Sequence, residues 1–464
     1  MSPNDSEKPP NMIIKRVAFL YATLACTGFI LYGSLLPFEI RHKTLVEAWD
    51  LFRHIPYLRL GVGSRADWIA NIVLYIPVSF FADAWLSNGS GICARRINRI
   101  ALVVVAGAAL AVAVEFTQIW FAPRTVSFND IIAEIIGTVL GVALWESVGR
   151  RLSVLGVKIM AGGPAAVQSA AVLYVLAYIA LSLFPYDFTV SGQVLAAKLA
   201  NGRASWLWAA CGGGFICLVK LIAEVVAVMP IGALLGMLFR QDRRWTLRTA
   251  LYAGLGLGLI IELCQFFLAS GVSQGMSVLT RGVGVVLGLI LYRNFSWYYV
   301  NKVLPYLRPM MVIAAVPYGF ALLDLNRWFS SHWLGWAEAG RRLTKLHFLP
   351  FYYHYYTAEA VAVVSVIYQF GLYAPFGAAV WLWRWVGGDT GAGGRSLIVP
   401  VAAAAVTAFV VEAGKLFISG EHPDPTNVLI AAAAALSGYL LSRYFFMIAA
   451  EARPVRLREL QARK

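Results

Sequence analysis

The residues best equipped for chemistry gather in one stretch, Glu115 to Gly141: EFTQIWFAPRTVSFNDIIAEIIGTVLG. A carboxylate and an amide, Glu115 and Gln118, close one apolar run. A short turn with Arg124, Asn129 and Asp130 follows, then a second apolar run with Gly137 and Gly141. Glu and Gln at i and i+3 share a helix face, and Arg binds carboxylate or phosphate bidentately. Such a set suits an outward-opening polar pocket with Arg124 at its mouth, taking an anionic group. Glu115 with Asp130 would also suit acid–base work. A structural reading stands beside both. In it Glu115 pairs with Arg124 or caps a neighbouring backbone end. Ser127-Phe128-Asn129-Asp130 is then a variant capping box opening a helix.

The elements holding these residues must be membrane helices. The chain is 59% hydrophobic and 14% charged, against roughly 45–50% and about 25% in soluble domains. Its mean hydropathy is +0.68, and several apolar runs reach the ~20 residues that cross a bilayer. Spans must satisfy their own backbone hydrogen bonds. The runs lack the ~10-residue alternation of membrane barrels. The expected fold is an all-α polytopic membrane protein with about 12 transmembrane helices as three four-helix repeats. The net charge of +15 would suggest nucleic acid in a soluble protein. Here Lys and Arg mark cytoplasmic loops and meet anionic headgroups, so the bilayer is the partner and nucleic acid is not.

The expected spans run from about Ile13, Trp68, Ile100 and Phe128, then Ala166, Trp206, Thr249 and Met276, then Met310, Ala358, Leu397 and Thr426. Pro77, Pro230 and Pro375 each fall inside the second span of a set. Basic residues cluster after the even-numbered spans and at both termini, which places both termini in the cytoplasm and the polar turns outside. The start, MSPNDSEKPP, lacks the basic n-region of a cleavable signal. Cys26, Cys93, Cys211, Cys217 and Cys264 show no metal-ligand spacing, and no disulfide framework, metal or cofactor is expected.

The stretch recurs. A shift of 147 positions brings Glu115 onto Glu262, Gln118 onto Gln265, Gly137 onto Gly284 and Gly141 onto Gly288. A shift of 297 brings Glu115 onto Glu412, Gln118 onto Lys415, Asp130 onto Asn427 and Gly141 onto Gly438. Six residues before each recurring proline stands a polar residue: Asn71, Glu224 and Gln369. Self-similarity at a fixed period defines the organisation. The expected divisions are a tail at 1–12, units at 13–158, 159–303 and 304–448, and a basic tail at 449–464.

A polar residue six before an apolar-Pro-apolar-small step, then E-x-x-Q, Arg, an N/D pair and G-x-x-x-G, resembles the VanZ-like family. Asn71, Pro77, Glu115, Gln118, Arg124, Asp130, Gly137 and Gly141 carry the resemblance. Gly271 and Glu421 replace Arg124 in the later units, and Ser277 replaces Asp130 in the second. The resemblance implies a bacterial inner-membrane protein tied to the cell envelope and to glycopeptide (teicoplanin) tolerance.

The candidate ligand-binding residues are Glu115, Gln118, Arg124, Asn129, Asp130 and Asn71. Their counterparts are Glu262, Gln265, Glu224, Glu412, Asn427 and Gln369. The leading reading is non-enzymatic binding of an anionic lipid or lipid-linked envelope precursor at the outer interface. A transporter, an intramembrane acid–base enzyme and a scaffold are the alternatives. The glycine pairs read as close helix packing. The aromatic loop 326–356, with His332, His347 and His354, reads as an interfacial belt.

Overall fold

The computed structural model describes residues 10–57, 62–87, 96–161, 163–207, 214–239, 246–294, 297–329, 332–357, 359–388 and 395–451. The N-terminal residues before 10, Cys93, Arg95, Cys211, Arg240, Arg243, Arg244 and the tail beyond 451 lie outside them.

The first third opens with α1 (Pro10–Leu35), β1 (Glu39–Ile40), α2 (Leu45–Arg53), α3 (Val62–Ser87), α4 (Arg96–Gln118), β2 (Phe121–Ala122) and α5 (Phe128–Leu144). A π-helical turn, Trp145–Gly149, carries α5 into α6 (Arg150–Ala161). There follow α7 (Gly163–Ser182), α8 (Gly192–Ala200), β3 (Ala204–Ser205), α9 (Gly214–Leu238), α10 (Leu247–Phe267), β4 (Ser273–Gln274) and α11 (Gly275–Asn294). The last third holds α12 (Trp297–Leu325), α13 (Trp336–Thr344), α14 (Tyr352–Tyr355), α15 (Glu359–Val386), α16 (Arg395–Lys415) and α17 (Thr426–Glu451).

Among the described residues, 11 helices are long and apolar enough to cross a membrane. The twelfth expected span is the helix α17. It is not among those eleven, although over its whole length it is as apolar as several of them. Arg96 and Arg99 lie in the first turn of α4, where Arg99 meets Asp83 of α3 and both reach Glu146 beyond α5.

Two compact units partition the chain. One comprises Met1–Lys158, Tyr178–Cys211 and Ile260–Met276; the other comprises Ile159–Ala177, Gly212–Leu259 and Ser277–Lys464. In the first, α3 packs along α5 and against α1, and α4 lies on α5. Glycine allows the close approach. A Cβ added to Gly137 would come within 3.0 Å of Tyr75 Cβ, and one at Gly141 would strike Ile76 O and Ser79 Oγ. Small residues let membrane helices meet through their backbones. In the second unit the same device recurs, with Gly284 and Gly288 against Val225 and Met229, and Gly438 against Ala374. There α15 packs on α17 and on α12.

Short stitches tie the loop after the leading helix to a later turn. β1 pairs antiparallel with β2, matching Glu39 to Ala122. β3 pairs parallel with β4, matching Ala204 to Ser273. Trp333 bridges to Ile418. Each such loop contains a short helix. α2 begins with a complete capping box, Thr44 Oγ1 accepting from Glu47 N at 3.3 Å and Glu47 accepting from Thr44 N at 2.8 Å.

Candidate functional site

The α4–α5 turn is built inward from Ser127. Its hydroxyl accepts from Asp130 N at 3.2 Å, capping α5, and donates to Asp130 Oδ2 at 2.6 Å. Asn71 on α3 donates to Asp130 Oδ1 at 2.9 Å. In a capping box the third helical residue would accept the Ser127 N–H. Here Glu115, at the end of α4, accepts it at 3.3 Å. The carboxylate therefore fastens the end of one helix to the start of the next. Trp68 Nε1 donates to Asn129 O at 3.0 Å, closing the turn over α3.

Glu115, Gln118 and Asn129 are buried. Ser127 links Glu115 to Asp130, which Asn71 reaches from α3. Arg124 takes a different post. Its Nε donates to Leu36 O at 2.8 Å and its guanidinium also reaches Gly33 O, so it caps the end of α1. It acts on Glu115 and Asp130 electrostatically. Helix ends leave carbonyls without intrahelical donors, and a cation there also opposes the helix dipole.

The same clasp closes two other turns. Glu262 accepts from Gln274 N at 2.6 Å, and Glu412 accepts from Asp424 N at 2.8 Å. In every case the donor stands twelve residues on. Gln265 donates to Ser182 O at 2.9 Å, at the end of α7. Glu224 and Ser277 repeat the Asn71–Asp130 pairing with the acid moved to the other helix: Ser277 Oγ lies 3.0 and 2.9 Å from the two Glu224 oxygens, and Thr280 adds a bond at 2.9 Å. At the α16–α17 turn, Glu412 Oε1 takes Lys415 Nζ at 2.8 Å and Asn427 Nδ2 at 2.9 Å. Gln369 on α15 is buried.

Several polar residues sit where the spacing alone did not point. Glu134 is buried on α5 beside Tyr75 of α3. Four residues on from Asp130, it lies on the same helix face, and that spacing is the signal that reveals it. Arg99 bonds Asp83 Oδ1 at 2.6 Å and also reaches Glu146, which takes Arg96 Nε at 2.5 Å.

Lys198 on α8 donates to the carbonyls of Gln265, Phe266 and Leu268 at 2.5, 3.0 and 2.8 Å. Burial, reinforced by the charge of Arg203, pulls its ammonium down to about 8. Arg342 on α13 does the same for Lys415, Leu416 and Ile418 at 3.0, 2.9 and 2.9 Å. His354 Nδ1 stands 3.2 Å from Asp424 Oδ2. Burial pushes the Asp424 carboxyl up, but His354 and Thr426 outweigh it and hold it below its ordinary value. His347 stacks on Tyr352 with centroids 4.0 Å apart.

Eleven membrane-length helices among the described residues define a polytopic, all-α membrane protein. The VanZ/LLP1 family model matches residues 12–149 and 171–297, more than half of the chain. The chain belongs to the VanZ/LLP1 family. No curated protein and no solved structure matches it.

Proposed function

We propose that the chain is a bacterial inner-membrane protein of three VanZ-like units that binds an anionic amphiphile at the outer interface of its first unit. The spacing of the three glutamate clasps supports the threefold organisation. The units are 13–158, 159–303 and 304–448, with both termini cytoplasmic and the clasped turns outside.

One observation carries the binding reading. Beside the α4–α5 turn, α2 exposes Leu45, Val46 and Trp49, and Arg41 and Arg53 flank it on the surface. A short helix with exposed apolar and basic faces lies in the headgroup plane and favours anionic lipid. The loop is held to the turn by Arg41 N donating to Trp120 O at 2.7 Å and Trp120 Nε1 donating to Lys43 O at 2.9 Å. Trp49 and Phe52 lie against Phe116. A phosphate or diphosphate headgroup on a long isoprenoid tail fits this combination, and its sequestration would affect teicoplanin tolerance.

The test uses the full-length protein in phosphatidylcholine nanodiscs and a polyprenyl diphosphate as probe. Arg41→Ala with Arg53→Ala lowers affinity about thirtyfold, at roughly 1 kcal/mol per basic residue near a charged surface, and lowers tolerance in cells. Unchanged affinity overturns the reading. Movement of the labelled lipid across a proteoliposome membrane would favour transport instead.

A further inference from the structure

The first bundle contains a polar cluster that the turn does not use up. Glu134 on α5 and Tyr75 on α3 are 2% and 1% exposed. The Tyr75 hydroxyl meets the Glu134 carboxyl, and beyond each other neither Tyr75 Oη nor Glu134 Oε2 has a hydrogen-bond partner among the described residues. Native interiors satisfy most buried polar atoms, so a carboxyl oxygen and a phenol left to each other mark an under-satisfied point.

The charges around that point identify the ligand. Glu134 has Glu115 from α4, Asp130 from its own helix and Tyr75 from α3 as titratable neighbours. Arg124 acts on Glu115 and Asp130 and is hydrogen-bonded to the end of α1. Around the Tyr75 ring, α1 supplies Ile30 and Cys26, α3 Val78 and α4 Ala111 and Val114. Like-charged carboxyls in a poorly solvated site cannot all ionise, and an uncompensated charge within the bilayer is costly.

Corresponding positions elsewhere carry their own cation or no acid. The residue 147 beyond Glu134 is Arg281 and the residue 297 beyond it is Ala431. Glu412 is matched by Lys415 at 2.8 Å.

We propose that Glu134, against Tyr75 and under the charge of Glu115, forms an intramembrane proton-binding site that holds one exchangeable proton. A proton on Glu134 Oε2 makes that oxygen a donor within the cluster, and leaves Glu115 as the charged member of the carboxyl pair. Return of the proton to water restores both carboxylates. The site gives this bundle a protonation-dependent charge that the α16–α17 bundle, with its lysine–glutamate pair, lacks.

Infrared difference spectroscopy across a pH step on the full-length protein in phosphatidylcholine nanodiscs tests this directly. The wild type should show a protonated-carboxyl carbonyl band at neutral pH that shifts in deuterium oxide. Glu134→Gln should abolish it, and Tyr75→Phe should move it to higher frequency, both with unchanged gel-filtration profiles. A wild type without the band, or a band persisting in both Glu134→Gln and Glu115→Gln, overturns the proposal. So does a spectrum that responds to sodium ions at constant pH but not to the pH step, which would assign the site to a metal cation.

Discussion

The α4–α5 and α16–α17 turns share one clasp and differ in what surrounds it. Glu412 receives a backbone N–H, an amide and an ammonium, so its charge is matched and its geometry fixed. Glu115 receives the backbone N–H of Ser127 but sits with Asp130 and Glu134, two more acids. The clasp is therefore architectural, and the surrounding charge is what varies. One bundle closes its electrostatics internally. The other gathers three acids, with Arg124 acting on two of them.

The largest perturbation of this contrast is Lys415→Met. It strands Glu412 in the interior and should destabilise the protein by about 3–5 kcal/mol, the usual cost of breaking a buried pair. Adding Glu412→Gln should recover most of the loss in thermal unfolding in detergent. A double variant as unstable as the single one would show that the pair matters through packing rather than charge.

The next effect concerns the short helices. Leu51 stands 147 residues before Lys198, so the cation that caps α10 has an apolar counterpart near α4. Lys198→Leu should cost about 1.5–3 kcal/mol, the range for a hydrogen bond to a charged group. Folding holds this lysine down from 10.5 to about 8, so between those values the unfolded chain binds more protons. Stability contributed by Lys198 thus rises with pH across that window. Denaturation at a series of pH values should show the rise in the wild type and not in the variant.

The smallest effect is Ser127→Ala, which removes the α5 cap while Glu115 can still hold the residue's N–H. A loss of about 1 kcal/mol is expected. A loss several times larger would place the weight of the turn on the hydroxyl's bond to Asp130.

How much of this was readable beforehand follows from what each feature depends on. The helices are legible because length and apolarity determine them locally, and Glu115, Glu262 and Glu412 stand out as acids at the ends of apolar runs. The cap of α5 is legible from Ser127. Arg124 is not, because the carbonyls it meets belong to α1, about ninety residues earlier. The same holds for Lys198 and Arg342, whose roles depend on where a loop folds back. Glu134 carries one signal, its place four residues on from Asp130, but what it meets, Tyr75, is set by packing.

The twelve-residue spacing of the clasp has a consequence for biogenesis. Donor and acceptor both belong to one pair of consecutive helices and the turn between them, so closing the turn needs no residue from a later segment. A pair that has entered the bilayer carries everything required to latch its own tip.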